Sequence, residues 1–99
     1  MSKYVVLHTT RPYTDGDASL LTSLLEQRIK LFSIVGIECT EWEEAMDWLC
    51  IDLNLKNKSE DFFCVTTSHP GEELNDVIEF VNTYSQLNGD EEAVKLINI

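Results

Sequence analysis

The sequence predicts an α/β fold. We expect a single small βαβαβαβ domain with a four-stranded, mainly parallel sheet and helices on both faces, in a Rossmann-like or flavodoxin-like arrangement. Two observations predict it. Short runs rich in β-branched and aromatic residues alternate with longer segments of helical periodicity along the chain. The length of 99 residues, 43% of them hydrophobic and 25% charged, fits one globular core. We therefore expect residues 1–99 to form one domain.

Four runs predict the strands. Residues 3–10 (KYVVLHTT) and 31–37 (LFSIVGI) are continuously apolar or β-branched, which is typical of strands that are buried on both faces. Residues 61–67 (DFFCVTT) and the closing segment, residues 92–99 (EAVKLINI), predict the third and fourth strands. Parallel strands joined by helices require right-handed crossovers. Crossover handedness does not fix the strand order, and our first expectation is second, first, third, fourth.

Three helices are predicted between these strands, over residues 18–30, from Thr40 to about residue 55, and from Pro70 to about residue 87. Asp17 is the expected cap of the first helix. Thr40 and Glu43 fit a capping box at the start of the second. Pro70 has the character of a first-turn residue, and Gly89 follows the predicted end of the third helix.

The charge of the chain is its least ordinary property. Asp and Glu number 18 against 7 Lys and Arg, which gives a net charge of −11. A field of this sign repels nucleic acid and anionic membranes and attracts basic proteins. No glycine-rich phosphate loop is present, so nucleotide binding is disfavoured and no cofactor is expected. We expect a basic protein partner.

The cysteines and the hydropathy pattern predict the compartment. The chain has three cysteines, Cys39, Cys50 and Cys64. Their odd number and the absence of a CxxC pair favour reduced thiols. No apolar run approaches the length of about 20 residues that a membrane-spanning helix needs. The apolar run at residues 4–7 is too short for a signal peptide. We expect a cytoplasmic protein.

The second predicted helix has two apolar stripes, although a helix on one face of a sheet needs one. The first stripe should face the sheet and comprises Trp42, Ala45, Met46, Leu49 and Leu53. The second, formed by Trp48, Ile51 and Leu55, is interleaved with carboxylates. It could pack on a neighbouring helix, form a homodimer interface, or bind a partner. An aromatic side chain among carboxylates suits a basic partner.

Three residues near the predicted carboxyl ends of the strands can ligate a transition metal, namely His8, Cys39 and His69. Each follows a different strand, and Glu38 or Asp15 could complete a zinc site. No short-range pair links them, and we favour ordinary structural roles: a strand-end residue for His8 and a cap or first-turn residue for His69. Cys39 and His69 could also act as nucleophile and base, an arrangement that we disfavour.

Two segments carry a resemblance. WEEAMDWL (residues 42–49) and VTTSHP (residues 65–70) resemble a small uncharacterised bacterial α/β family, over nearly the whole chain. That resemblance implies the fold and no function. In size, acidity and its aromatic–carboxylate helix, the chain is also similar in kind to acidic immunity proteins of the barstar and contact-inhibition type, which block a basic toxin, often a nuclease. No binding residue is carried over from either resemblance.

The sequence therefore favours a non-enzymatic acidic binding protein, most concretely an immunity or inhibitor protein that neutralises a basic partner. The expected partner-binding residues are Glu38, Glu41, Glu44, Trp48, Asp52 and Glu72. The carboxylates would steer the partner and Trp48 would anchor it. The alternative is a metal-dependent or small-ligand-binding protein with its site at the strand carboxyl ends.

Overall fold

The computed structural model describes residues 3–56, 62–90 and 93–99. Its strands are β1 (Tyr4–Thr9), β2 (Leu31–Gly36), β3 (Val65–His69) and β4 (Lys95–Asn98). Its helices are α1 (Ala18–Glu26), α2 (Cys39–Lys56) and α3 (Leu74–Leu87), with a short 3-10 turn, Asp15–Asp17, before α1. All neighbouring strands pair in parallel. The predicted α/β class, with helices on both faces of one sheet, is confirmed.

The strand order differs from the expected one. The sheet runs β3-β2-β1-β4, so the expected order of second, first, third, fourth is wrong. The chain steps from β1 to β2 to β3 in one direction and then returns across the sheet to β4. Because right-handed crossovers place each helix on a face set by the direction of the step, α1 and α2 share one face and α3 lies alone on the other. Accordingly, α1 packs on α2, whereas α3 packs on β1 and β2.

The two central strands carry the core. Every side chain from Tyr4 to Leu7 and from Leu31 to Val35 is buried, as their continuous apolar character predicts. On one face they pack against α1 and α2, where the largest buried residues are Leu21, Leu24, Trp42 and Met46. On the other face they pack against Val77 and Val81 of α3.

The starts of the helices differ from the predicted ones. The Glu38 carbonyl accepts the first hydrogen bonds of α2, from Glu41 and Trp42, so Thr40 lies inside the helix and does not cap it. Pro70 lies in a turn, and α3 begins four residues later, at Leu74.

Element ends also shift. Helix α1 stops at Glu26, short of the predicted residue 30, and Arg28 adopts a left-handed φ of 62°. The third strand begins at Val65, and Asp61, where it was expected to start, lies outside the described residues. Phe62 pairs instead with the Asn54 side chain, which accepts from its N–H at 2.6 Å and donates to its carbonyl at 2.8 Å. This pairing fastens the end of α2 to the segment that leads into β3.

The loop between β1 and α1 is held by an ion pair. The two terminal guanidinium nitrogens of Arg11 donate to Asp17 at 2.7 Å, and the backbone N–H and the hydroxyl of Thr14 donate to the same carboxylate at 2.9 Å. The Arg11 carbonyl accepts from Trp42 Nε1 at 3.0 Å. Asp17 occupies the N-cap position of α1, as predicted, but its side chain makes no capping hydrogen bond there and ties the loop together instead. These donors, the Arg11 guanidinium first, hold the Asp17 pKa well below its usual value of 3.8.

Asp17→Asn should destabilise the fold at neutral pH by about 1–2 kcal/mol, because it removes a charged, bidentate partner of Arg11. A lowered folded-state pKa means that the stabilisation is fully present above pH 3.8 and is lost as the pH falls through the folded-state pKa. Urea unfolding of both proteins between pH 7 and pH 2 measures this. A difference that stays constant down to pH 2 would contradict the role assigned to the ion pair.

Gly36→Ala should destabilise the fold by roughly 2–4 kcal/mol. Gly36 has a φ of 117°, and an added Cβ would lie 2.2 Å from the Thr9 carbonyl oxygen of the neighbouring central strand. Urea unfolding measures the loss. Gly89→Ala is the control. Gly89 also has a positive φ, of 75°, but its added Cβ would lie in open space, so the loss of stability should be clearly smaller. Equal effects would mean that backbone strain, and not the clash, is responsible.

Candidate partner-binding surface

Helix α2 presents an exposed apolar stripe. The stripe that was expected to face the sheet does so, with Trp42 and Met46 fully buried. The second stripe faces outward, and the exposed fractions are 71% for Trp48, 50% for Ile51 and 70% for Leu55. Of the three alternatives for this stripe, packing on a neighbouring helix is therefore wrong for the part of the chain that is described. The homodimer and partner-binding interpretations stay open.

Four of the predicted binding residues share one face of α2. Glu41, Glu44, Trp48 and Asp52 lie within about 80° of one another around the helix axis, since successive residues turn by about 100°. All four are exposed. We call this face, together with Asp47, Ile51 and Leu55, the α2 outer surface.

The carboxylates of this surface are not equivalent. Asp52 forms an ion pair with Lys56 at 2.9 Å, which offsets its charge. Asp47 accepts a hydrogen bond from the neutral Thr66 hydroxyl of β3 at 2.7 Å. Glu44 and Asp47, with Trp48 and Ile51, line a shallow hollow of about 150 Å³. The Trp48 ring thus lies beside two carboxylates that no cation of the described chain neutralises.

The other two predicted residues lie elsewhere. Glu38 is exposed at the carboxyl end of β2, with a left-handed φ of 53°, directly before α2. Glu72 follows β3 and accepts a hydrogen bond from His69 Nδ1 at 2.8 Å. Both belong to the carboxyl edge of the sheet and not to the α2 outer surface.

A larger groove opens between α2 and β3. It measures about 380 Å³ and is lined by Leu25, Met46, Asp47, Cys50, Ile51, Phe63, Cys64 and Thr66. Asp47 and Ile51 line both hollows, so this α2–β3 groove continues the α2 outer surface. Phe63 is 75% exposed at its rim, whereas the adjacent Phe62 is buried. Sequence analysis missed Phe63, because a strand that is covered on both faces buries adjacent side chains, and the sequence does not show that Phe63 lies beyond this cover.

The thiols in this groove are packing groups. Burial is the main cause that raises the pKa of the Cys64 thiol to about 12, so it stays protonated at neutral pH. Cys50 donates from Sγ to the Phe62 carbonyl at 3.1 Å. All three cysteines are free, as expected from their number.

The structure does not bring His8, Cys39 and His69 together. Cys39 is buried in the core on the α1 and α2 side of the sheet. His8 and His69 both pair in register with Val35 of β2, which packs on the α3 side, so two strand spacings of about 4.8 Å separate them. Within residues 3–56, 62–90 and 93–99, no cluster of three metal-ligating side chains occurs. The Cys39–His69 pair is likewise divided by the sheet.

His69 instead ends a polar chain. The Ser33 and Thr67 hydroxyls are 2.7 Å apart, Thr67 Oγ1 is 2.9 Å from His69 Nε2, and Nδ1 contacts Glu72. Because the carboxylate only accepts, Nδ1 donates to it, and Nε2 of a neutral ring accepts from Thr67, which in turn accepts from Ser33. The Phe80 ring packs 5.1 Å from the imidazole. This chain satisfies the polar groups between β2, β3 and α3 and explains His69 structurally.

Together, the fold and the surface define a small acidic α/β protein with an exposed aromatic–carboxylate face on α2. Residues 3–99 match the family model described as "Domain of unknown function (DUF7684)", and the chain belongs to that family. The resemblance to an uncharacterised family is thereby confirmed. Comparison with curated proteins and with solved structures gives no significant match. None of the helices within the described residues has the length and apolar character needed to cross a membrane.

Thr67→Val should cost about 1–3 kcal/mol of unfolding free energy, because it leaves the buried Ser33 hydroxyl and His69 Nε2 without their partner. The matched control is Thr66→Val on the same strand, which removes only an exposed hydrogen bond to Asp47 and should cost less than about 1 kcal/mol. Urea unfolding compares the two. If both substitutions cost the same, the polar chain does not stabilise the sheet.

Proposed function

We propose that this protein is a non-enzymatic acidic binding protein that recognises a basic protein partner through the α2 outer surface. Its most concrete form is an immunity or inhibitor protein that neutralises a basic toxin, such as a nuclease. One observation carries the proposal: Trp48 stands 71% exposed in the middle of α2, among carboxylates. Tryptophan is the residue type most enriched at the energetic centres of interfaces.

The surface supplies two different contributions to binding. The net charge of −11, with Glu41 and Glu44 on this face, would accelerate encounter with a basic protein. Trp48, with Ile51 and Leu55 beside it, would bury apolar area once contact is made and slow dissociation. Asp52 would contribute less than Glu44, because Lys56 already offsets its charge.

A nuclease is a suitable partner on chemical grounds. Its substrate-binding surface must carry cations that contact phosphates. An acidic face with a stacking aromatic group presents the same two features that a nucleic acid presents, namely negative charge and a flat ring. These properties support an inhibitor that covers such a surface.

The charges also favour a foreign partner over a second copy. A homodimer through Trp48, Ile51 and Leu55 would bring Glu44 and its neighbouring carboxylates from both copies together, and like charges in an interface oppose association. We therefore expect the isolated protein to be monomeric at micromolar concentration, and sedimentation equilibrium tests this. A stable dimer that dissociates on Trp48→Ala would assign the surface to self-association instead.

The test of the proposed function is a tagged pull-down from the native host lysate with three proteins: wild type, Trp48→Ala, and the control Leu87→Ala. Leu87 is 82% exposed on α3, on the opposite face of the sheet. We expect one basic protein that wild type and Leu87→Ala retain, that high salt releases, and that Trp48→Ala loses. With the purified partner, Trp48→Ala should weaken binding by at least about 30-fold, mainly through faster dissociation.

Two results would contradict the proposal. The first is equal capture of the same partner by wild type and Trp48→Ala. The second is a partner that is acidic or whose binding does not change with salt, since either would remove the role of the carboxylates.

A further inference from the structure

Strand β3 forms one edge of the sheet, and no other described strand lies on its outer side. The opposite edge, β4, is four residues long and carries the exposed Lys95, a feature that discourages pairing with another chain. Strand β3 contains no lysine and no proline. The β3 edge is therefore the less protected of the two.

The register shows which backbone groups face outward. The Val65 N–H donates to the Lys30 carbonyl of the segment that enters β2, at 3.0 Å. Since backbone groups alternate sides along a strand, Val65, Thr67 and His69 address β2, and Thr66 and Ser68 present their N–H and carbonyl groups at the outer edge. An added strand that lies about 4.8 Å from β3 could form backbone hydrogen bonds with these groups.

The groove beside this edge changes character along the strand. Near Cys64 its wall is apolar, formed by Cys50, Ile51 and Phe63. Farther along, the Thr66 hydroxyl bonds Asp47 at 2.7 Å, and the Ser68 hydroxyl bonds Glu43 at 3.2 Å. The groove therefore passes from apolar residues near Cys64 to the Asp47 carboxylate at Thr66, and Glu43 adds a second carboxylate just beyond the groove, beside Ser68.

We infer that the α2–β3 groove receives an extended segment of the basic partner, which pairs with β3 as a fifth strand; the inference rests on the proposed function. On the side facing α2, the segment carries an apolar side chain beside Ile51 and Phe63, and a lysine or arginine beside Asp47 and Glu43. Backbone hydrogen bonds to Thr66 and Ser68 hold the segment, and the groove selects its sequence.

Charge decides the occupant. Pairing of β3 with a second copy would oppose Asp47 and Glu43 to the same carboxylates of the copy, on a molecule that already carries −11. A basic segment would place its cations beside the acidic end of the groove and its apolar side chains beside the apolar end of the groove. The observations therefore favour a basic, alternating segment over self-association.

The experiment uses the full chain and peptides selected from a displayed random 12-residue library. We expect selected peptides to alternate, with apolar and basic residues on one face. In ¹⁵N-labelled protein, saturating peptide should slow hydrogen exchange at the Thr66 and Ser68 amides at least tenfold. N-methylation at alternate backbone positions of the peptide should weaken binding at least tenfold, whereas methylation at the intervening positions should not. This second measurement leaves the protein unchanged and so does not depend on the folding of any variant.

Asp47→Asn tests the charge of the groove while keeping an acceptor for Thr66. It should weaken the selected basic peptides about fivefold and reduce the salt dependence of their binding. The matched control is Glu79→Gln, an exposed carboxylate on α3, which should leave the affinity unchanged.

The other outcomes separate a failure of the added strand from a failure of the proposed function. Selection of no peptide, or of peptides that bind without slowing exchange at Thr66 and Ser68, removes the added strand. Slowed exchange at these amides with rising protein concentration alone assigns the edge to a second copy. A partner that Trp48→Ala loses but that leaves β3 unprotected would preserve the proposed function and refute only the strand. Capture that does not depend on Trp48, together with peptide protection at β3, would support the added strand and refute the role of Trp48 in the proposed function.

Discussion

The surface of this protein depends on the order in which its parallel strands are placed. Two successive steps in one direction, from β1 to β2 to β3, put α1 and α2 side by side, and α2 lies over the edge of the sheet. A helix in that position has one side against the sheet and one against α1, and its remaining side has no described neighbour. The exposure of Trp48, Ile51 and Leu55, and the groove beside β3, both follow from this placement.

The class of the fold could be predicted from the sequence because each level of the pattern agrees. Continuous apolar runs predicted the buried central strands, and helical periodicity predicted their connections. Strand order could not be predicted. Central parallel strands are continuously apolar whichever strands lie beside them, so the apolar pattern does not show which strands are neighbours. Some helix and strand ends differ from the predicted ones because side-chain contacts that a hydropathy pattern does not show determine them. One example is the Asn54 side chain, which pairs with Phe62 before β3.

The candidate site could likewise be predicted from the sequence only in part. Periodicity alone places Glu41, Glu44, Trp48 and Asp52 on one helix face, and the structure keeps them there. Whether that face is covered is a property of the topology and not of the helix. The metal hypothesis for His8, Cys39 and His69 assumed that residues following different strands meet. Because Cys39 turns into the core on one side of the sheet and the histidines lie on the other, they do not.

The most direct test of the central claim is the environment of the two tryptophans. Quenching of intrinsic fluorescence by caesium and by iodide should be compared between wild type and Trp48→Phe. Trp42 is fully buried and Trp48 exposed among carboxylates. We expect a water-exposed emission component in wild type that caesium quenches more effectively than iodide, and that Trp48→Phe removes. An unchanged quenching profile in Trp48→Phe, or equal quenching by both ions, would contradict an exposed tryptophan in an acidic surface.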